Sequence, residues 1–197
     1  MTCKMLGILA AALLPLAVGA QQPASQPAPP QSLGVAQATA QPEINPVSNA
    51  IRRILERRTK VVIAAAEQMP AEKYSYRPTP DQMTFAHLVI HTAGTNNFLC
   101  ANISGAAAPA DEKLKDTDTK EKLVASLKAS FAYCTQALAK VDDSKLGEQV
   151  PFFGGDKISQ AGAMMVLSSA LSDHYGMEAM YLRLNGMVPP TGAPKKD

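Results

Sequence analysis

Apolar residues return at helical intervals over four stretches of the chain. In the first, from about Ser48 to Met69, Ile51, Ile54, Leu55, Val61, Val62 and Ala65 recur, with Arg52, Arg53, Glu56, Arg57 and Arg58 mostly between them. That spacing lays one apolar stripe against a core and spreads the charges over the outer face. Pro70 ends the stretch. The second opens at Thr84, an N-cap residue type, presents Phe85, Leu88, Val89, Phe98 and Leu99, and stops near Ser104-Gly105. The third begins near Thr119, with Glu121 and Lys122 in its first turn, and aligns Leu123, Leu127, Phe131, Cys134 and Leu138. Ser159 caps the fourth, "QAGAMMVLSSALSDHYGMEAMYLRLN", and Gly186 followed by Pro189-Pro190 closes it.

The segments between these helices differ in kind. "AEKYSYRPTPDQM" is too long for a tight turn and is expected to cross one end of the fold. "AAAPADEKLKDTDT" reads as a loop. "EQVPFFGGDKIS" is open between a short extended arm and a loop plugged into the core by Phe152 and Phe153. No segment alternates long enough to predict a sheet. The pattern predicts an all-α protein, a four-helix bundle with at least one long crossover connection. Gly176 inside the fourth helix costs helix stability, which close packing against a neighbour would explain.

The outer segments narrow the setting. Residues 1–20 carry one Lys, an apolar run and Val18-Gly19-Ala20, the layout of a cleaved signal peptide, which predicts a periplasmic or secreted protein. Residues 21–46 are rich in Gln, Pro and Ala and lack aromatics, so they read as a disordered linker. The folding unit is expected over 47–190, with a tail over 191–197. Without the leader, two cysteines remain, Cys100 and Cys134. An even count in an oxidising compartment predicts that they form a disulfide.

Charge changes the picture little. The formal net charge is +2 and there is no Trp. "RRILERRTK" is a local basic cluster read as a solvated face, and without a basic stripe interleaved with aromatics nucleic-acid binding is not expected.

Candidate chemistry rests on the three histidines of the chain. His87 and His91 are four apart and share one helical face, so they could hold one divalent ion between them. His174 lies on another helix, which a bundle can bring opposite. Three imidazoles and a water form an open zinc or nickel sphere. The competing reading is local. Thr84 and His87 have capping-box spacing, and His87 then faces solvent. Glu178 shares the face of His174 and could ligate metal, orient an imidazole, or pair with Arg183 or a lysine. Met164, Met165, Met177 and Met180 read as gap-filling core rather than a soft-metal site. Tyr175 and Tyr181 read as packing residues. No nucleophile constellation, phosphate loop or CxxC pair is present.

Three stretches, in this order, resemble the DinB-like superfamily: "YSYRPTPDQMTFAHLVIHTAGTNNFLC", "FFGGDKISQAG" and "HYGMEAMYLRLNGMVPP". Together they cover nearly all of 47–190. The resemblance implies a four-helix bundle whose metal site uses one His on the second helix and an H-x-x-x-H pair on the last. His91 matches the first and His174 the second member of the pair. The other member falls on Ala170, which cannot bind metal, so the site departs from the family's pattern, with His87 or Glu178 left to complete it. The resemblance further implies metal-dependent hydrolase or thiol-transferase-type chemistry on an unknown small molecule. A homodimer paired through helix faces is also compatible with it. The alternative is a non-catalytic binding or interaction module with a degenerate metal site.

Overall fold

A computed structural model describes residues 41–192, so the leader, nearly all of the linker and the end of the tail lie outside the described residues. Four helices dominate: α1 (Pro46–Gln68), α2 (Phe85–Ser104), α3 (Lys120–Leu138) and α4 (Gln160–Leu184). Their limits follow local chemistry. Pro46 stands in the first turn of α1, where its missing N–H costs nothing. Thr84, Thr119 and Ser159 each accept a hydrogen bond from the backbone N–H three residues on, at 3.0, 3.3 and 3.1 Å. Gly186, at φ 75°, ends α4 in a Schellman motif: Met187 N–H donates to the Leu182 carbonyl and Gly186 N–H to that of Arg183.

The helices occupy four corners. α2 packs on α3 and α4, and α1 on α4 and α3. The sequential pairs α1–α2 and α3–α4 are therefore diagonal, and the connections at 69–84 and 139–159 both cross the bundle. Between the corners runs one core, with Val62, Phe85, Leu99, Leu123, Leu127, Phe131 and Leu167 all buried. Cys100 on α2 and Cys134 on α3 are fully buried and disulfide-bonded, with Cα atoms 5.2 Å apart.

Four features differ from the sequence reading. Gln149–Pro151 (β1) and Lys157–Ser159 (β2) form a two-stranded antiparallel hairpin, with Val150 opposite Ile158. Three residues per strand are too few to show a period of two. Gly154 and Gly155, at φ 70° and 87°, supply the left-handed backbone of the turn. The two Phe residues divide between the alternatives: Phe153 is 46% exposed on the arm and stacks on Phe98 at 4.4 Å, while Phe152 is partly buried and packs against the core. Second, a Cβ on Gly176 would meet no atom within 4 Å, so close packing does not explain that glycine. The close approach is at Gly162, where a Cβ would lie 2.7 Å from Ile158. Third, Met164 is buried, but Met165 and Met180 are 71% and 47% exposed and fill no core gap. Finally, the basic face of α1 is only partly a solvated one. The Arg52 guanidinium donates to the Leu138 and Val141 carbonyls at 2.9 and 2.7 Å, satisfying groups at the C-terminal end of α3.

The start of α1 is capped from a distance. Asn45, at φ 55°, makes no side-chain cap. Asp143, in the α3–α4 connection, accepts instead from Val47 N–H at 2.9 Å and from Ser48 N–H at 2.8 Å.

Candidate functional site

α2 and α4 are neighbours, and at their contact the His91 and His174 rings meet edge to face with centroids 5.0 Å apart. His91 is exposed and His174 is buried. Burial lowers the His174 pKa to about 4, with a further push from His91 and only partial opposition from Asp173. His174 is therefore neutral at pH 7, the form in which imidazole binds a metal. Its Nδ1 is buried and has no hydrogen-bond partner among the described residues.

His87 is held elsewhere. Its Nδ1 lies 3.0 Å from Asp116 Oδ1, and the Thr84 hydroxyl donates to Asp116 Oδ2 at 2.7 Å. One carboxylate from the α2–α3 loop thus binds both the cap and the third residue of α2. The capping-box spacing placed His87 toward solvent; its side chain is 52% exposed, but Asp116 engages the ring. Nothing in the sequence marked it, because a loop aspartate becomes a partner only once the loop is placed.

Glu178, one turn beyond His174, is fully buried, and neither carboxylate oxygen has a hydrogen-bond partner among the described residues. It pairs with neither Arg183 nor a lysine. Burial pushes its carboxyl well above the usual carboxylate range, so the neutral acid is the favoured form. The same region holds Tyr74, whose hydroxyl donates to the Ala66 carbonyl at 2.7 Å and whose pKa is raised by burial and then by Glu178. Among the described residues, no three of the His, Cys, Asp and Glu side chains are grouped so as to hold a metal ion. The fold brings His91 and His174 together and leaves His87 and Glu178 out of that pair.

The end of α4 is structural. The Tyr181 hydroxyl donates to the Met83 carbonyl at 2.7 Å, fixing α4 to the chain entering α2, while Tyr76 packs edge-on against the Tyr181 ring. Asn185 Nδ2 donates to the Tyr181 carbonyl at 2.9 Å.

Residues 54–177 match the model of the DinB superfamily. The chain belongs to that superfamily. Among solved structures it is similar to a DinB-like protein from Bacillus subtilis, at 20% identity and a TM-score of 0.60, covering 75% of this chain and 100% of that one. It is also similar to a DinB-like protein from Bacillus cereus, at 16% identity and a TM-score of 0.59, covering 72% and 95%. A mycothiol-dependent maleylpyruvate isomerase aligns at 13% identity and a TM-score of 0.53 over 66% of this chain and 59% of the isomerase. At these identities the likeness is one of fold. No curated protein matches the sequence. Within this DinB-superfamily bundle, the helix contact that carries the two histidines is formed, and Ala170 stands where the resemblance would put a further ligand.

Proposed function

We propose that the protein binds a divalent metal, zinc or nickel, through His91 and His174. The observation that supports this is the ring pair: two imidazoles from different helices in contact, one of them buried, neutral and with an unpartnered nitrogen. The donor set fits a borderline ion. His91 and His174 would hold it, with water or substrate in the remaining positions. Bound there, such an ion would supply Lewis acidity toward a water or a small thiol. His174 would contribute a donor that needs no deprotonation at neutral pH, and the buried side of the pair would exclude water. Read with its leader, the protein would act in the periplasm or outside the cell.

A second reading, a non-catalytic binding bundle with a degenerate site, is favoured by a separate observation: no third donor is grouped with the pair. Metal content separates the two. Protein purified without a polyhistidine tag and equilibrated with zinc or nickel is expected to retain metal, and His91→Ala and His174→Ala are each expected to lose it. Retention below about a tenth of an equivalent sinks the metal reading. If metal binds, His87→Ala and Glu178→Gln identify a third donor by which of them weakens it.

A further inference from the structure

We infer that the groove between α1 and α4 is a binding site for a small organic anion, with an apolar body and a terminal phosphate or carboxylate group. This is independent of the histidine pair. The groove measures ≈ 670 Å³, and its polar lining is rich in donors. Arg57 and Arg58, adjacent residues of α1, both line it. Arg52, Arg53 and Arg77 each have an acceptor in the fold: carbonyls of the α3 end, Glu43, and the Pro80 carbonyl. Among the described residues Arg57 and Arg58 have neither a carboxylate nor a carbonyl partner.

The opposite wall adds hydroxyls. Ser168 on α4 has no acceptor for its hydroxyl among the described residues. Thr191 Oγ1 accepts from the Tyr175 hydroxyl at 2.8 Å, which leaves its own O–H to donate outward. Thr191 is itself fixed, because its N–H donates back to the Tyr175 oxygen at 2.9 Å. The Tyr175 ring in turn lies under the Arg58 guanidinium, 5.9 Å from centroid to Cζ, which restrains that side chain at the groove. No acidic side chain lines the groove. Lys60 lies at its edge and shares its charge with Glu56 at 2.8 Å, so the two arginines carry the unbalanced charge. Ile54 and Val61 complete the floor and offer apolar contact.

Paired guanidiniums with converging hydroxyls suit an oxyanion, because each planar fork matches two oxygens. The aliphatic floor suits a ligand with a carbon body rather than a bare inorganic ion.

The test is calorimetric titration of the purified protein at low salt with phenyl phosphate and, separately, benzoate. Saturable binding near one equivalent is expected for at least one of them, and the tighter of the two assigns the anionic group. Arg57→Gln and Arg58→Gln should each weaken binding roughly tenfold, the loss of one charged hydrogen bond. Lys157→Gln removes the same charge from the hairpin and should leave binding unchanged. Amide shifts at Ser168 and Thr191 on titration should report the same site. The inference is overturned if neither anion saturates below about 10 mM, or if Lys157→Gln weakens binding as much as the arginine variants do.

Discussion

His174 and Glu178 stand one turn apart on α4, and burial acts on them in opposite directions. The His174 pKa falls to about 4 in the folded chain, below its ordinary 6.5, so the unfolded chain binds the extra proton between those values and stability rises with pH across that window. The Glu178 carboxyl is raised above its ordinary 4.5, so the folded chain holds the extra proton, and stability falls as pH rises from there toward the folded value. In the metal-free protein the two slopes oppose each other from pH about 4.5 to 6.5. Above about 6.5 the His174 contribution is complete, and stability falls with pH for as long as the folded Glu178 carboxyl keeps its proton. Urea denaturation from pH 5 to 8 should show the wild-type protein losing stability with rising pH relative to Glu178→Gln. Glu178→Gln should abolish the fall and leave a rising lower half; identical curves for the two proteins would refute this assignment. Sequence placed Glu178 on the face of His174 but could not show its environment. A carboxylate among apolar neighbours is indistinguishable in pattern from one that snorkels to solvent, until the neighbouring helices are in place.

At the scale of elements, the helices were legible because each carries its own start and stop chemistry. Thr84, Thr119 and Ser159 cap as their residue types suggest, and Gly186 takes the left-handed backbone expected after the last turn. The hairpin was not, since its strands are three residues long and its turn is set by two consecutive left-handed glycines. The disulfide is an element-level clamp between α2 and α3, expected from cysteine count and compartment and formed in the fold across 34 residues. Closing a loop of that length restricts the unfolded chain by about 3–4 kcal/mol in the chain-entropy account. The double substitution Cys100→Ala/Cys134→Ala should lower the urea midpoint by a corresponding amount. Adding reductant to the wild-type protein under denaturing conditions before refolding should reproduce the loss. Unchanged midpoints in both would show that the bond contributes nothing to stability.

For the whole molecule, the diagonal placement of sequential helices means that two connections, not one, span the bundle. Periodicity predicted four helices and at least one crossover but could not choose corners, because an apolar stripe states that a helix is buried and not against which partner. The same limit governed the histidines. His91 and His174 meet because α2 and α4 are neighbours, and His87 does not join them because Asp116 takes its ring. The remote cap on α1 has a consequence for the order of events in folding. The N–H groups of Val47 and Ser48 find their acceptor 96 and 95 residues later in the chain, so the first turn of α1 waits for the α3–α4 connection to dock. Closing so long a loop costs chain entropy before these two exposed or half-exposed bonds repay it, so they are expected to form late. Asp143→Ala is therefore expected to steepen the loss of native protein by accelerating unfolding, with the refolding limb of the chevron unmoved. A slowed refolding limb would instead make this junction part of the nucleus. During synthesis, α1 would emerge before α2 and α3, yet its opening turn would be secured only after both of theirs, which Thr84 and Thr119 cap locally.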